Sequence, residues 1–563
     1  MKGLIAALLL IWCVGILGRG FWTPDEPREA DIAWRMSWQT DKAVPVLAGE
    51  AFCEKPPLTY WLAAVPIKWF GAHGWSARLP NLLYAMITAL SVGLLARRSA
   101  GALAGAVAAA AIGTFLLSYQ VAIWLASDAP LLAANCVALL GLHIGFYAST
   151  RSERVRGYCL MHVALGLGFL SKSAAAVLVP ALTLLTLIAW EKRWREVLRW
   201  ELYAGLVIQA LLILTWVWFV YIGDDGPNHL KIFFWNNLAG RFVKIDAPTN
   251  LQYAMAHRNS PGKYLIELPL YLAPWTLLVL AAIRRAWHQR SKSPADVRTL
   301  RFVVATSIPA LVVLSLAATA RNIYLAPALP GAALLLGWWT REIQTKAERW
   351  DIRAISSTAV ILLLTVLLGA LAIVLLGIDG WATLSDRFGF VVISMVGLMG
   401  ATYLALRAWR ASRNAQILAA QIGLWFAYCT LLVGPASQAY HVIDAWQDLS
   451  ALGYAVAHDT ENRPLILLNP DETTRAWVDL YARTDVPRTD VTLRGPHSLV
   501  LVQLPGRGLT HLAQALGRLA GQFKTKTESA DFPGLDIRQW RIVQRYALPN
   551  GRRYALLELR ARS

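Results

Sequence analysis

Apolar runs of about 18 residues or more recur along the first 435 positions of this 563-residue chain. Each is long enough for a helix to cross the roughly 30 Å hydrocarbon core of a bilayer. Lipid offers no hydrogen bonds to a backbone, so such runs cross as helices that satisfy their own N–H and C=O groups. Charged residues make up 16% of the chain, against about a quarter in soluble domains. The pattern predicts an α-helical polytopic membrane protein of thirteen spans, at about 3–18, 79–96, 101–118, 129–148, 158–170, 174–190, 202–222, 264–283, 302–318, 323–340, 355–377, 388–406 and 415–434.

The basic residues assign the sides. Arg97-Arg98, Arg151/Arg154/Arg156, Lys192/Arg193/Arg195/Arg199, Arg284/Arg285/Arg290/Lys292, Arg341/Lys346/Arg349/Arg353 and Arg407/Arg410/Arg413 fall between alternate spans. All six clusters then share one face, which is cytoplasmic by the positive-inside rule. That rule accounts for the +19 net charge without a nucleic-acid partner, and none is expected. The first apolar segment reads as an uncleaved signal anchor, because it lacks a small-residue cleavage site and further spans follow. The cysteines Cys13, Cys53, Cys136, Cys159 and Cys429 show no CxxC or Cys/His spacing, so neither a disulfide framework nor a cysteine zinc site is expected.

The opposite face receives the unusual sequence. The expected division is a transmembrane part over 1–435, with a first outer loop at 19–78, and an outer α/β domain over 436–563. In the tail, 463–468, 498–502 and 554–559 read as strands, while 471–483 and 509–522 read as amphipathic helices, the first capped by Asp471. From residue 19 to 58 the loop sets five bases against seven acids, a net of −2. Topology predicts that charges from this loop, the Ser127-Asp128 turn, the Ser171-Lys172-Ser173 break, the loop 223–262 and Arg321 converge on one outer-face cavity.

Individual residues admit two readings each. Pro27 suits a first helical turn, and Asp25 or Glu26 suits its positive end. Asp25 is either a helix cap or a general base on an acceptor hydroxyl. Arg28, Asp31 and Arg35 share one face of that helix, Ala30, Trp34 and Trp38 another, a pattern that fits a helix along a membrane surface. Lys55, beside the rigid Pro56-Pro57, is a held point charge suited to phosphate; with Glu54 it is otherwise a solvated pair. Asp128 and Lys172 sit against apolar sequence, where an ionisable group is costly and marks function by default. The alternatives are a cap for Asp128 and an outward-snorkelling Lys172. Asn236, Asn237, Arg241, Phe242, Lys244, His257, Arg258, Lys263 and Arg321 supply polar and basic groups suited to a lipid phosphate or pyrophosphate.

Together these motifs resemble the GT-C glycosyltransferases that use polyprenyl-phosphate sugars, above all the bacterial aminoarabinose transferases of lipid A and their protein O-mannosyltransferase relatives. The resemblance lies in Pro24-Asp25-Glu26-Pro27-Arg28 with Ala30-Asp31-Ile32-Ala33, in Val44-Pro45, Gly49 and Phe52-Cys53-Glu54-Lys55-Pro56-Pro57-Leu58-Thr59-Tyr60-Trp61. It continues through Ala77-Arg78-Leu79-Pro80, Ser127-Asp128-Ala129-Pro130-Leu131, Leu170-Ser171-Lys172, Arg241-Phe242, the 271–275 run Tyr-Leu-Ala-Pro-Trp and the 324–327 run Tyr-Leu-Ala-Pro. It covers about the first 335 residues.

The resemblance implies a GT-C fold with a small C-terminal α/β domain, in a monomer of the bacterial inner membrane with its active site towards the periplasm. It implies Asp25 and Asp128 as essential acids, Lys55 and Arg241 as donor-phosphate ligands, and Arg28, Lys172, Arg258 and Arg321 as supporting charges. It further implies a divalent metal with Glu54 as a ligand. The family's histidine three residues before the Arg-Phe pair is Leu238 here, which cannot bind a metal, and the glycine after the lysine is Ser173. The implied partners are a polyprenyl (undecaprenyl) phosphate sugar donor, membrane lipids and an acceptor, either lipid A or another glycolipid, or a protein. A polytopic transporter is the competing class. Transporters place ionisable groups near the bilayer midplane, whereas these charges lie in outer loops and at span ends.

Overall fold

The computed structural model describes residues 2–241, 260–288, 293–317, 321–378, 384–460, 463–468, 470–482, 499–504, 539–547 and 552–559. Two compact units divide the chain. One joins Met1–Leu17, Cys53–Thr59 and Arg78–Ala439; the other joins Gly18–Phe52, Tyr60–Ala77 and Tyr440–Ser563. Most of the loop 19–78 therefore groups with the C-terminal segment, while its stretch Cys53–Thr59 groups with the helices.

The first unit is helical, as its apolar runs dictate, and helices occur at each of the predicted positions. Among the described residues seven helices are long and apolar enough to cross a membrane, and ten if each of three bent pairs counts as one span. This is a multi-span membrane protein. The bent pairs are Ala102–Thr114 with Leu116–Ile123 (65°), Lys263–Tyr271 with Thr276–His288 (110°) and Asn322–Ala328 with Pro330–Thr345 (47°). The segment expected as a short span at 158–170 is a 22-residue helix, Arg151–Lys172. Thr150 caps it, its hydroxyl accepting the Glu153 N–H at 3.1 Å, so polar residues of the first turns belong to the helix.

That helix packs against Asp128–Phe146, and glycine makes the contact close. A β-carbon at Gly157 would collide with the backbone of Gly145, and one at Gly141 with the backbone of Met161 and Gly157. The two helices form an antiparallel hairpin about the turn at 147–150, so the start of one and the end of the other lie at the same level. Asp128 and Lys172 are those two residues. Several bases of the expected cytoplasmic clusters are ion-paired: Arg285 meets Asp351 at 2.7 Å and Arg193 meets Glu196 at 2.9 Å.

The second unit opens with the helix Glu26–Trp38, followed by the hairpin Val46–Leu47/Glu50–Ala51. Ala48 and Gly49, both at positive φ (48° and 87°), form its two-residue turn, which suits the strand twist. The C-terminal part contributes helices Ser437–Gln447, Ser450–Thr460 and Glu472–Trp477 and a four-stranded sheet. Strand order is Leu465–Leu468, Leu499–Leu504, Arg553–Leu559, Trp540–Ala547, the first pair parallel and the others antiparallel. Leu499 and Leu501 pack with Leu452, Val456, Trp477 and Tyr554 on one face, while Val500 and Val502 pack with Trp540 and Leu557 on the other. Burial on both faces explains why this strand is continuously apolar. The predicted helix 509–522 lies outside the described residues.

Candidate functional site

In the membrane unit the hairpin delivers an acid to a base. Lys172 Nζ donates to Asp128 Oδ1 at 2.6 Å, with the two side chains 15% and 7% exposed. Ser127, not Asp128, is the N-cap residue of Asp128–Phe146, so capping does not account for the carboxylate. Neither does snorkelling account for Lys172. Its ammonium lies 4.2 Å from the centroid of the Tyr324 ring, a cation–π arrangement that holds it inward.

Tyr324 belongs to the 3-10 turn Asn322–Ala328, which packs on Asp128–Phe146. Arg321 immediately precedes this turn, and its carbonyl accepts the Tyr264 hydroxyl at 2.6 Å. The structure thus gathers Asp128, Lys172 and the Arg321 segment into one neighbourhood. The Tyr-Leu-Ala-Pro runs at 271 and 324 mark two of the helix breaks.

Glu54-Lys55 forms a turn before the helix Leu58–Phe70. The buried side-chain amide of Asn237 donates to the carbonyls of Cys53 and Glu54. Asn237 sits in the helical stretch Lys231–Leu238, so part of the loop expected at 223–262 is helix that pins the Lys55 turn. Arg241 ends the short turn Ala239–Arg241. Phe242, Lys244, His257 and Arg258 lie outside the described residues. Among the described residues no three His, Cys, Asp or Glu side chains gather as metal ligands, and Leu238 offers no donor beside Glu54. The described groups do not fit a metal centre.

The second unit positions Asp25 and Arg28. Asp25 is the N-cap residue of Glu26–Trp38 without a side-chain capping bond. Glu26 takes up the local donors instead, pairing with Arg19 at 2.9 Å and accepting the Trp22 N–H at 2.9 Å. Arg28 lies 3.9 Å from Asp25 and 2.6 Å from Glu472. The helix departs from the expected surface pattern, because its polar face is buried: Glu26 is 0%, Glu29 3%, Asp31 0% and Arg35 6% exposed. Arg35 donates through Nε and Nη2 to both carboxylate oxygens of Asp479, at 2.6 and 2.7 Å. Sequence reasoning missed Glu472 and Asp479. Their signal was the i, i+3, i+7 spacing of Glu472, Arg475 and Asp479 around the apolar Trp477.

Asp31 is enclosed beside Asp479. Burial first, then the charge and hydrogen bond of Asp479, push its carboxyl well above the ordinary range, against weaker pulls from the Ala48 N–H and Arg35. The folded state therefore holds a proton there that the unfolded chain releases. Its contribution to stability is complete below the ordinary carboxylate pKa and is lost as pH rises through the raised one. Asp31→Asn keeps an acceptor for Ala48 and supplies a fixed donor. Melting midpoints from pH 4 to 9 (about the range of surveyed buried carboxyls) are expected to fall less steeply in this variant than in the wild type. Parallel curves would show that Asp31 does not carry the proton.

The family described as dolichyl-phosphate-mannose-protein mannosyltransferase matches residues 54–219. The undecaprenyl phosphate-alpha-4-amino-4-deoxy-L-arabinose arabinosyl transferase of Pseudomonas paraeruginosa is 28% identical over 72% of each chain. Its counterpart in Yersinia enterocolitica is 27% identical over 68% of this chain and 66% of its own. The crystal structure of ArnT from Cupriavidus metallidurans bound to undecaprenyl phosphate superposes with a TM-score of 0.70 at 18% identity, covering 99% of this chain and 97% of that one. The fold is that of a GT-C glycosyltransferase. The apo ArnT structure gives the same result, with a TM-score of 0.69. The GT-C resemblance expected from the motifs stands, reaching nearly the whole chain in fold and 72% of it in sequence.

Proposed function

We propose that this GT-C chain is an integral membrane glycosyltransferase that moves a sugar, aminoarabinose by its relatives' activity, from undecaprenyl phosphate to lipid A on the periplasmic side of the inner membrane. The observation that carries the reading is the buried Asp128–Lys172 pair. Replacing a buried ion pair with apolar residues of similar volume is often neutral or stabilising, so packing gives no reason to keep this one. The names of the sequence relatives supply the donor, and lipid A as acceptor follows from the motif resemblance.

In the transfer, the bond between the anomeric carbon and the carrier phosphate oxygen breaks, and its electron pair leaves with undecaprenyl phosphate. An acceptor oxygen forms the new bond. Positive charge develops on the sugar, and a fixed carboxylate such as Asp128 stabilises it without reorganisation. Lys55 and Arg241 balance the charge growing on the phosphate. A lipid A phosphate is already anionic and needs no base. A hydroxyl acceptor, as in protein O-mannosyl transfer, would need Asp25 to take its proton.

Lys55→Ala is expected to lower kcat/KM for the lipid donor by about 100-fold, the scale of losing one charge-stabilising contact, while Asn237 still holds the turn. Unchanged donor affinity and turnover would remove Lys55 from phosphate binding. The decisive experiment for the function is mass spectrometry of lipid A from cells with and without the gene. Loss of an aminoarabinose mass increment on deletion is expected. Unaltered lipid A, with a change in glycosylated protein instead, would move the acceptor to the O-mannosyl class.

A further inference from the structure

The C-terminal segment shows no chemical motif of its own, yet its helix Glu472–Trp477 and the turn Val478–Ala482 carry charge into the interior. Arg475 is 3% and Asp479 1% exposed. Buried charge is costly unless paired, so its partners reveal what the segment is built around. They lie on the first outer loop, within the same compact unit. Glu472 meets Arg28 at 2.6 Å, Arg475 meets Glu50 at 3.2 Å, and Asp479 holds Arg35. The Thr473 hydroxyl donates to the Pro24 carbonyl at 2.9 Å.

The two helices mirror each other in sequence. Arg28, Asp31 and Arg35 follow the spacing i, i+3, i+7, and Glu472, Arg475 and Asp479 repeat it with every sign reversed. Each triplet lies on one helical face. The ends of the two faces are joined, Arg28 to Glu472 and Arg35 to Asp479, which fixes the register between them. The contacts from Glu472 and Thr473 fall on either side of Asp25: Pro24 precedes it and Arg28 follows it. A generic stabilising contact has no reason to select these two neighbours.

We propose that Glu472 and Thr473 are positioning residues that hold the turn 24–28, and with it Asp25, in the geometry that sugar transfer requires. This rests on the reading of Asp25 as an acid of the reaction. The C-terminal segment then takes part in catalysis without contributing a group to it. Displacement of a catalytic group by about 1 Å costs on the order of 100-fold in rate, so modest changes at Glu472 have a measurable effect.

The test uses the full-length protein in lipid nanodiscs, with undecaprenyl phosphate-α-4-amino-4-deoxy-L-arabinose as donor and lipid A as acceptor. Glu472→Ala is expected to lower kcat about 10-fold and Glu472→Lys, which repels Arg28, about 100-fold. Donor KM and melting midpoint should be unchanged, because the side chain of Glu472 is 38% exposed. Thr473→Val should fall in the same way, and Thr473→Ser, which keeps the hydroxyl, should restore turnover. Wild-type kcat in Glu472→Lys and Thr473→Val, beside an inactive Asp25→Asn, would overturn the positioning role and leave the proposed function intact. A loss of kcat that only follows a lowered melting midpoint, without rescue by serine, would also overturn it. Absence of transfer by the wild type, or full activity of Asp25→Asn, would instead strike the reading beneath it.

Discussion

Asp128→Asn is expected to abolish sugar transfer while leaving a folded, inserted protein. The change is nearly isosteric, and an amide oxygen can still accept from Lys172 Nζ, now at 2.6 Å from Asp128 Oδ1. The negative charge is what disappears. Removing one preorganised group that stabilises developing charge costs about 100- to 1,000-fold in rate. Here the loss is compounded, because Lys172 keeps its charge in a site where its counterion has gone. Turnover with the lipid donor, measured on monodisperse protein, is the readout, and Lys172→Met gives the complementary case. Normal turnover in Asp128→Asn would take the carboxylate out of the mechanism and leave the ion pair as a structural tie between two helices.

Arg35→Leu should produce the largest loss of stability. Its guanidinium makes a two-pronged contact with Asp479, and the side chains are 7% and 2% exposed. Charge-assisted pairs of this kind are the strong ones. Truncating one partner of a buried pair costs about 3–5 kcal/mol, since the other charge is left uncompensated. Chemical denaturation of the full chain, followed by tryptophan fluorescence, should show the second unit unfolding early. Arg35→Met combined with Asp479→Leu should recover most of the loss, because the pair as a whole is close to neutral against an apolar replacement. A single variant within about 1 kcal/mol of wild type, the range of exposed pairs, would show that this contact is no anchor.

The helical architecture could be read from the sequence because a membrane segment announces itself by length and composition alone. The bends were not read from it, although Pro274 and Pro327 stand at two of them. Apolar periodicity looks the same on both sides of a 110° turn at residues 272–275, and the turn between Thr114 and Leu116 centres on Phe115, an ordinary apolar residue. Asp128 and Lys172 stood out separately, as charges against apolar sequence. Their pairing needed the glycine-lined hairpin. The strand Trp540–Ala547 was missed because a bulge between Ile542 and Gln544 breaks the alternation that marks a strand. The shared face of Arg28, Asp31 and Arg35 was visible, but its partners lie up to 444 positions away, where local pattern has no reach.

That separation has a consequence for how the protein is made. The helix Glu26–Trp38 leaves the ribosome early, with Asp31 and Arg35 on a face that ends buried. The carboxylate that satisfies Arg35 belongs to residue 479, and is synthesised only after all the intervening spans. Until then the loop has no stable way to enclose its charges. Completion of the second unit thus reports that the intervening helices have been synthesised, and a chain interrupted before residue 472 would leave the turn around Asp25 without its support. Assembly and competence for chemistry are coupled through the same few side chains.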